Sequence, residues 1–195
     1  MGVYKLSANS VKNGRTIYGS MLAGNTAFLP TDFESIATVT VGSGGASNVE
    51  FTSIPSTFAH LQIRISSLGS ANTASSLSGT YNGDTGSNYS SHWLTGNGSS
   101  ASAGSTANDN IQYFGFSLHS SESNTSIVDI LDYANTNKYK TMRCLTGVDR
   151  NGSGSIWLFS GSWRNTNAIT SIKITPNSGS FNQYSSFVLY GIKGA

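Results

Sequence analysis

Charged side chains are scarce in this chain of 195 residues. Asp, Glu, Lys and Arg together make up 10% of it and leave a net charge of +2, whereas about 25% charged residues is typical of soluble domains. Binding to nucleic acid depends on a concentrated basic surface, so this charge predicts none. The 22 glycines and the many Ser, Thr and Asn residues instead predict a polar surface with little charge.

Cysteine occurs only once in this sequence, and long apolar runs are absent from it. The single cysteine, Cys144, cannot form an internal disulfide and has no partners at metal-binding spacing, so we expect a small buried residue. His60, His92 and His119 form no His-x-His pair, so no metal or other cofactor is predicted. Even the least charged segment, residues 65–83, is too rich in Ser, Gly, Asn and Thr to cross a bilayer, which predicts no membrane segment.

What the chain does contain is alternation of apolar and polar residues. In residues 58–66, Leu61, Ile63 and Ile65 share one face of a strand, and the residues between them are polar. About ten such segments follow one another, separated by turn sequences such as Asn82-Gly83. We therefore predict an all-β body over residues 33–195, built as an antiparallel two-sheet sandwich of jelly-roll-like type. An immunoglobulin-type sandwich fits less well, because its Cys and Trp pairing is missing.

One stretch interrupts the spacing of the predicted strands. Residues 95–110, TGNGSSASAGSTANDN, are small and polar, and loops longer than about 12–15 residues are usually functional or disordered. We expect a long surface loop that is either mobile or in contact with a partner.

The residue types needed for catalysis do not fall into a recognisable pattern. Asp129 and Asp132 are the closest acidic pair on one predicted strand, but a spacing of three places them on opposite faces. No Gly-x-Ser-x-Gly elbow is present. Residues 81–88, YNGDTGSN, offer oxygen ligands for calcium, but they are ordinary turn formers and lack spaced acids. The sequence therefore predicts a protein that is not an enzyme.

Aromatic and amide side chains make up a candidate binding site. Flat aromatic rings stack on the apolar faces of sugars, while Asn and Asp bind sugar hydroxyls. Aromatic residues in alternating strands more often belong to the core, and we expect this of Trp157, which shares a face with Phe159. Trp93, beside the predicted loop, is the best candidate for exposure. The candidate partner or glycan loop site consists of Tyr81, Asp84, Trp93, Asn97 and Asn108.

Residues 1–32 differ from the body and are predicted to form an extended N-terminal arm. Their apolar residues occur in small clusters separated by Asn, Gly and Ser, too few to build a core. Such clusters suit a segment that inserts side chains into a partner's grooves or adds a strand to its edge. The alternative is that the arm wraps its own body. The candidate anchoring residues are Val3, Tyr4, Leu6, Ile17, Tyr18, Met21 and Leu22.

Several stretches of the body resemble a group of tailed-bacteriophage virion proteins. They are FESIATVTVGSGGASNVEFTSIPSTFAHLQIR, YNGDTGSNYSSHWLTGNG, WRNTNAITSIKITPNSGSF and FVLYGIK, and the resemblance runs from Phe33 to Ile192. It implies a virion structural component with no catalytic residues to carry over. One short body with an arm looks most like a head decoration, or cement, protein on the outer surface of the capsid. Such a protein would bind the major capsid protein, commonly as a homotrimer. The alternative is a tail or neck appendage that binds host surface glycans.

Overall fold

The computed structural model describes residues 33–71 and 75–194, and the arm predicted for residues 1–32 lies outside this range. The described residues form twelve β-strands, all paired antiparallel. They contain no helix long and apolar enough to span a membrane. The strands are β1 (Phe33–Thr40), β2 (Val49–Phe51), β3 (His60–Ser67), β4 (Ser75–Tyr81), β5 (Tyr89–Gly96), β6 (Ala101–Asp109), β7 (Gln112–Leu118), β8 (Asn124–Leu131), β9 (Lys140–Asp149), β10 (Gly154–Trp163), β11 (Ile172–Pro176) and β12 (Ser186–Ile192).

The strands form two sheets that pack as a sandwich, as predicted. The large sheet has eight strands in the order β1-β12-β3-β8-β9-β10-β5-β6, and the small sheet has four in the order β2-β11-β4-β7. Without the hairpins β5–β6 and β9–β10, two four-stranded sheets remain, ordered β1-β12-β3-β8 and β2-β11-β4-β7. That alternation of successive strands between two sheets is the jelly-roll order.

The two additional hairpins lengthen one side of the large sheet. We call the four strands β9, β10, β5 and β6 the wing, because they continue the large sheet beyond β8. The inner face of the wing packs against β7 of the small sheet. There the Tyr113 and Phe159 rings stack with centroids 5.7 Å apart, and Trp93 lies 6.3 Å from Tyr113. The outer face of the wing has no such covering among the described residues.

The core lies between the sheets and follows the alternation read from the sequence. Leu61, Ile63 and Ile65 on β3 are at most 2% exposed, and each such side chain contributes about 1.5–3 kcal/mol when fully buried. On β12 the fully buried side chains are Phe187 and Leu189. Cys144 is fully buried, as predicted.

The prediction of a loop over residues 95–110 is wrong, because these residues form the end of β5, a tight turn and β6. Gly98 has a φ of +88°, which suits the first central position of a two-residue hairpin turn. The Asn97 side-chain oxygen accepts hydrogen bonds from the backbone N–H groups of Ser99 and Ser100, at 3.1 and 2.9 Å. The small residues of β6 show no apolar alternation, because most of them are exposed and the strand is held by backbone pairing with β5.

Candidate partner-binding surface

Tyr81, the first residue of the predicted loop site, is 1% exposed and belongs to the core. Its ring lies between Tyr89, Phe114 and Trp163, with centroid distances of 6.0, 5.9 and 5.4 Å. Burial, followed by the charge interaction with Tyr89, raises the pKa of Tyr81 well above its ordinary value. Tyr81 therefore presents no ring face for a sugar to stack on.

The Asp84 carboxylate is an acceptor within the β4–β5 connection. It accepts hydrogen bonds from the Trp163 indole nitrogen at 2.7 Å, the Gly86 backbone nitrogen at 2.9 Å and the Asn88 amide at 3.0 Å. Partial burial acts to raise the pKa of Asp84, but these hydrogen bonds outweigh it, and the pKa lies below its ordinary value. N–H donors occupy both carboxylate oxygens, so this arrangement supports the turn interpretation over a calcium site.

Trp93, the tryptophan expected to be the best candidate for exposure, is half-buried, as is Trp157, whereas Trp163 is buried. Trp93 lies on the inner face of the wing, half-buried against the core, where Gly104 makes room for its ring. A Cβ atom at position 104 would lie 2.4 Å from Trp93 Cζ2. Trp157 packs against the core beside Phe159, as predicted, with the two rings stacked 5.7 Å apart.

Asn97 and Asn108 occupy opposite ends of β6, so they cannot belong to one small site. Asn97 caps the β5–β6 turn, whereas Asn108 has a φ of +55° at a bulge near the far end of the strand. The Asn108 side-chain oxygen accepts a hydrogen bond from Arg164 at 2.7 Å, and the same Arg164 nitrogen donates to the Ser87 carbonyl. The structure therefore does not bring the five predicted residues together.

The outer face of the large sheet, over the wing and the adjoining strand β8, presents a surface that was not predicted from the sequence. Four large apolar side chains lie directly opposite one another on adjacent strands: Leu94 pairs with Leu158, Leu158 with Leu145, and Leu145 with Ile127. Their exposed fractions are 54%, 46%, 53% and 38%, in the order Leu94, Leu158, Leu145, Ile127. We call these four residues the apolar row. Ile156, two residues along β10 from Leu158, is 64% exposed and enlarges it.

A polar row runs parallel to the apolar row on the same face. Ser160 is paired with both His92 and Arg143, and Arg143 is paired in turn with Asp129. Asp129 accepts a hydrogen bond from Gln62 at 2.8 Å. A shallow depression of about 500 Å³ joins the two rows between His92, Leu94, Arg143 and Leu158. A contiguous exposed apolar patch with a polar rim marks a binding surface more often than chance exposure does.

The sequence carries a signal for the apolar row. Each member is next to an inward-facing residue in the chain, as in Trp93-Leu94, Ile127-Val128, Cys144-Leu145 and Leu158-Phe159. Two adjacent apolar residues in a strand must point to opposite faces. Strands β5, β8, β9 and β10 therefore carry apolar side chains on both faces. Only the strand register shows that the outward-facing ones line up in a row.

The described residues contain no cluster of three or more His, Cys, Asp or Glu side chains that could hold a metal ion. Burial raises the pKa of the Cys144 thiol far above its ordinary value, and the thiol donates a hydrogen bond to the Phe114 carbonyl at 3.2 Å. Such a thiol is a poor nucleophile. No protein-family model matches the chain, and neither a curated protein nor a solved structure is detectably similar to it.

Proposed function

We propose that this chain is a non-enzymatic structural protein of a tailed-phage virion that decorates the assembled head. The observation that carries the proposal is the apolar row on the outer face of the large sheet. A jelly-roll body needs only its inner faces to be apolar, so four large apolar side chains in register on the outer face support a second packed contact. The resemblance of the body to phage virion proteins supports a shell of major capsid protein as the partner.

The physical role of such a protein is to stabilise the assembled shell. A ligand that binds the assembled form and not its dissociated subunits shifts the equilibrium toward assembly. Copies repeated around the symmetry axes of the shell then combine many modest binding contacts into a high overall avidity. A polar surface with few charges keeps decorated particles soluble without strong attraction between them.

The arm is the second part of the proposed attachment. Val3, Tyr4, Leu6, Ile17, Tyr18, Met21 and Leu22 lie outside the described residues, and their anchoring role rests on the sequence pattern. An extended segment with spaced apolar clusters suits grooves or sheet edges on a neighbouring protein.

Binding to shells stripped of this protein tests both attachments. Leu145→Asp places a charge in the apolar row, and Thr141→Asp places the same charge on the same face of β9, outside the row. We expect Leu145→Asp, and not Thr141→Asp, to weaken binding about tenfold or more, because a buried charge without a partner is costly. Ile17→Asp is compared in the same way with Ser10→Asp in the arm. Undiminished binding by both Leu145→Asp and Ile17→Asp would refute the proposal.

A glycan-binding appendage is the second candidate function. The observation in its favour is the depression beside the apolar row, where His92 and Arg143 offer hydrogen-bond donors next to Leu94 and Leu158. Screening the intact protein against host surface polysaccharides tests it. Retention of a glycan that is abolished by Arg143→Ala, together with absence of binding to shells, would favour the appendage.

A further inference from the structure

The two sheets have four edge strands within the described residues, and three of them are blunted against pairing with another chain. Exposed edges invite added strands, and proteins usually block them with bulges, charges or short length. β2 has only three residues, and β7 has two irregularities in its pairing with β4. β1 has a bulge after Ser35, and its Glu34 forms an ion pair with Lys193 at 3.1 Å.

The fourth edge, β6, has none of these protections along most of its length. It pairs with β5 in unbroken register from Ala101 to Thr106, and its bulge lies beyond that run. Residues 101–106 contain no charge and no proline. Their side chains are those of Ala, Ser, Gly and Thr, which leave the approach to the backbone open.

The hairpin geometry shows which backbone groups of β6 face outward. Asn97 N–H donates to the Ser100 carbonyl across the turn, so these two residues form a hydrogen-bonded pair. Hydrogen-bonded and non-hydrogen-bonded pairs alternate along an antiparallel ladder. Ala101, Ala103 and Ser105 therefore direct their N–H and C=O groups away from β5, toward the open edge. The backbone groups of these three residues can therefore form hydrogen bonds with an added strand.

The composition of this edge suits a second copy of the same chain. When two identical strands pair antiparallel about a twofold axis, each residue lies near residues of its own segment, so any charge would meet its like. Residues 101–106 are neutral, which avoids that repulsion, and none of their side chains is bulky. A twofold axis perpendicular to the sheet also places the outer faces of the two copies on the same side of the joined sheet. Ala103, which continues the apolar row beyond Leu94, would then join the two rows into one band.

We propose that β6 pairs antiparallel with β6 of a second copy, forming a dimer with one continuous sheet across the twofold axis. The pairing involves only this chain and can be tested without capsid protein. A failure to dimerise and a failure to decorate capsids are therefore distinguishable results. It doubles the length of the apolar band that a flat partner surface would meet.

Sedimentation of the full chain over a wide range of micromolar concentrations tests the pairing. We expect the mass to rise from 20.5 kDa toward twice that value. Ser105→Pro removes an outward N–H and obstructs an added strand, while leaving the ladder with β5 intact. Its dissociation constant should increase about tenfold or more, the effect of losing one or two hydrogen bonds. Ser105→Ala keeps the amide and should dimerise like the unaltered chain.

Ser105→Lys is the second variant, in case proline disturbs folding. It keeps the backbone amide but adds a charged side chain to the shared edge in each copy, so it should also dimerise weakly and recover in high salt. Amide exchange gives an independent reading, because the Ala103 N–H should exchange slowly at concentrations where the dimer is populated. A mass of 20.5 kDa at every concentration would overturn the proposal. A trimer, or a dimer unaffected by both Ser105→Pro and Ser105→Lys, would overturn it as well.

Discussion

The Asp84 carboxylate accepts a hydrogen bond from the indole nitrogen of Trp163, with 2.7 Å between Oδ2 and Nε1. Asp84 lies in the connection from β4 to β5, and Trp163 ends β10 with 1% of its surface exposed. The hydrogen bond therefore fixes the β4–β5 connection, which leads from the small sheet to the wing, against the end of β10 in the wing. The same carboxylate organises its own turn through Gly86 and Asn88.

Asp84→Ala should destabilise the protein by about 2–3 kcal/mol, because a buried indole N–H and two further donors lose a charged acceptor. Chemical denaturation monitored by tryptophan fluorescence measures the loss. Asp149→Ala is the matched control. Within residues 33–71 and 75–194, that carboxylate accepts only the Asn151 N–H in an exposed turn, so its loss should cost less than about 1 kcal/mol. Equal losses in the two variants would show that Asp84 has no special structural role.

The Asp84 carboxylate should also make stability depend on pH in the acid range. Its pKa in the folded protein lies below the ordinary value of 3.8, so ionised Asp84 stabilises the fold at pH values above 3.8. That contribution is lost as the pH falls through the folded-state pKa. The difference in free energy of unfolding between the unaltered chain and Asp84→Asn should be constant above about pH 5 and should shrink below pH 3.8. A difference that grows on acidification would contradict this assignment.

Lys140 should be far more important for stability than its neighbour Lys138. Lys140 is 1% exposed, and its ammonium donates to the backbone carbonyls of Asn135, Lys138 and Thr166, the last two at 3.0 and 2.9 Å. Lys140→Met leaves these acceptors without their charged donor and should cost about 3 kcal/mol. Lys138→Met removes an exposed ion pair with Asp132 and should cost at most about 1 kcal/mol. Thermal unfolding of the two variants measures both losses, and an equal decrease in melting temperature would contradict the prediction.

Gly79 should tolerate no side chain, because the ring of Phe114 lies where its Cβ would be. A Cβ at position 79 would come within 2.4 Å of Phe114 Cζ, and Phe114 is fully buried. Gly79→Ala should therefore cost about 1–3 kcal/mol, and Gly79→Ala combined with Phe114→Leu should lose less than the sum of the two single changes. Gly44→Ala, which meets no atom within 4 Å, is the control. Strict additivity in the double variant would refute the proposed contact.

The sandwich could be predicted from the sequence because strands such as β3 have one apolar and one polar face. On β3 the buried Leu61, Ile63 and Ile65 alternate with half-buried or exposed polar residues, so period two is unambiguous. The turn at Asn82-Gly83 was equally readable, and both residues have positive φ. The β6 strand was not readable, because its Ala, Ser, Gly and Thr residues have no apolar face and their strand is specified by pairing with β5.

The apolar row could be predicted only in part, because adjacent apolar residues indicate two apolar faces but not which residues become neighbours. Leu94, Leu145 and Leu158 lie far apart along the chain, with Leu158 standing 64 positions after Leu94. They meet only through the strand order β9-β10-β5. Their exposure depends on which of two apolar faces turns inward, and the inner face is chosen by Trp93 and Phe159 packing against Tyr113. Non-consecutive strand order of this kind is a property of the whole fold.

The number of copies of this chain in a purified virion tests the central claim most directly. A protein that decorates the head should be present on the order of hundreds of copies, because its sites repeat with the shell's symmetry. Quantitative mass spectrometry against the major capsid protein measures the ratio. We predict a copy number that is a simple fraction of the number of capsid subunits. A handful of copies per particle would place the protein in the tail or neck and contradict the account.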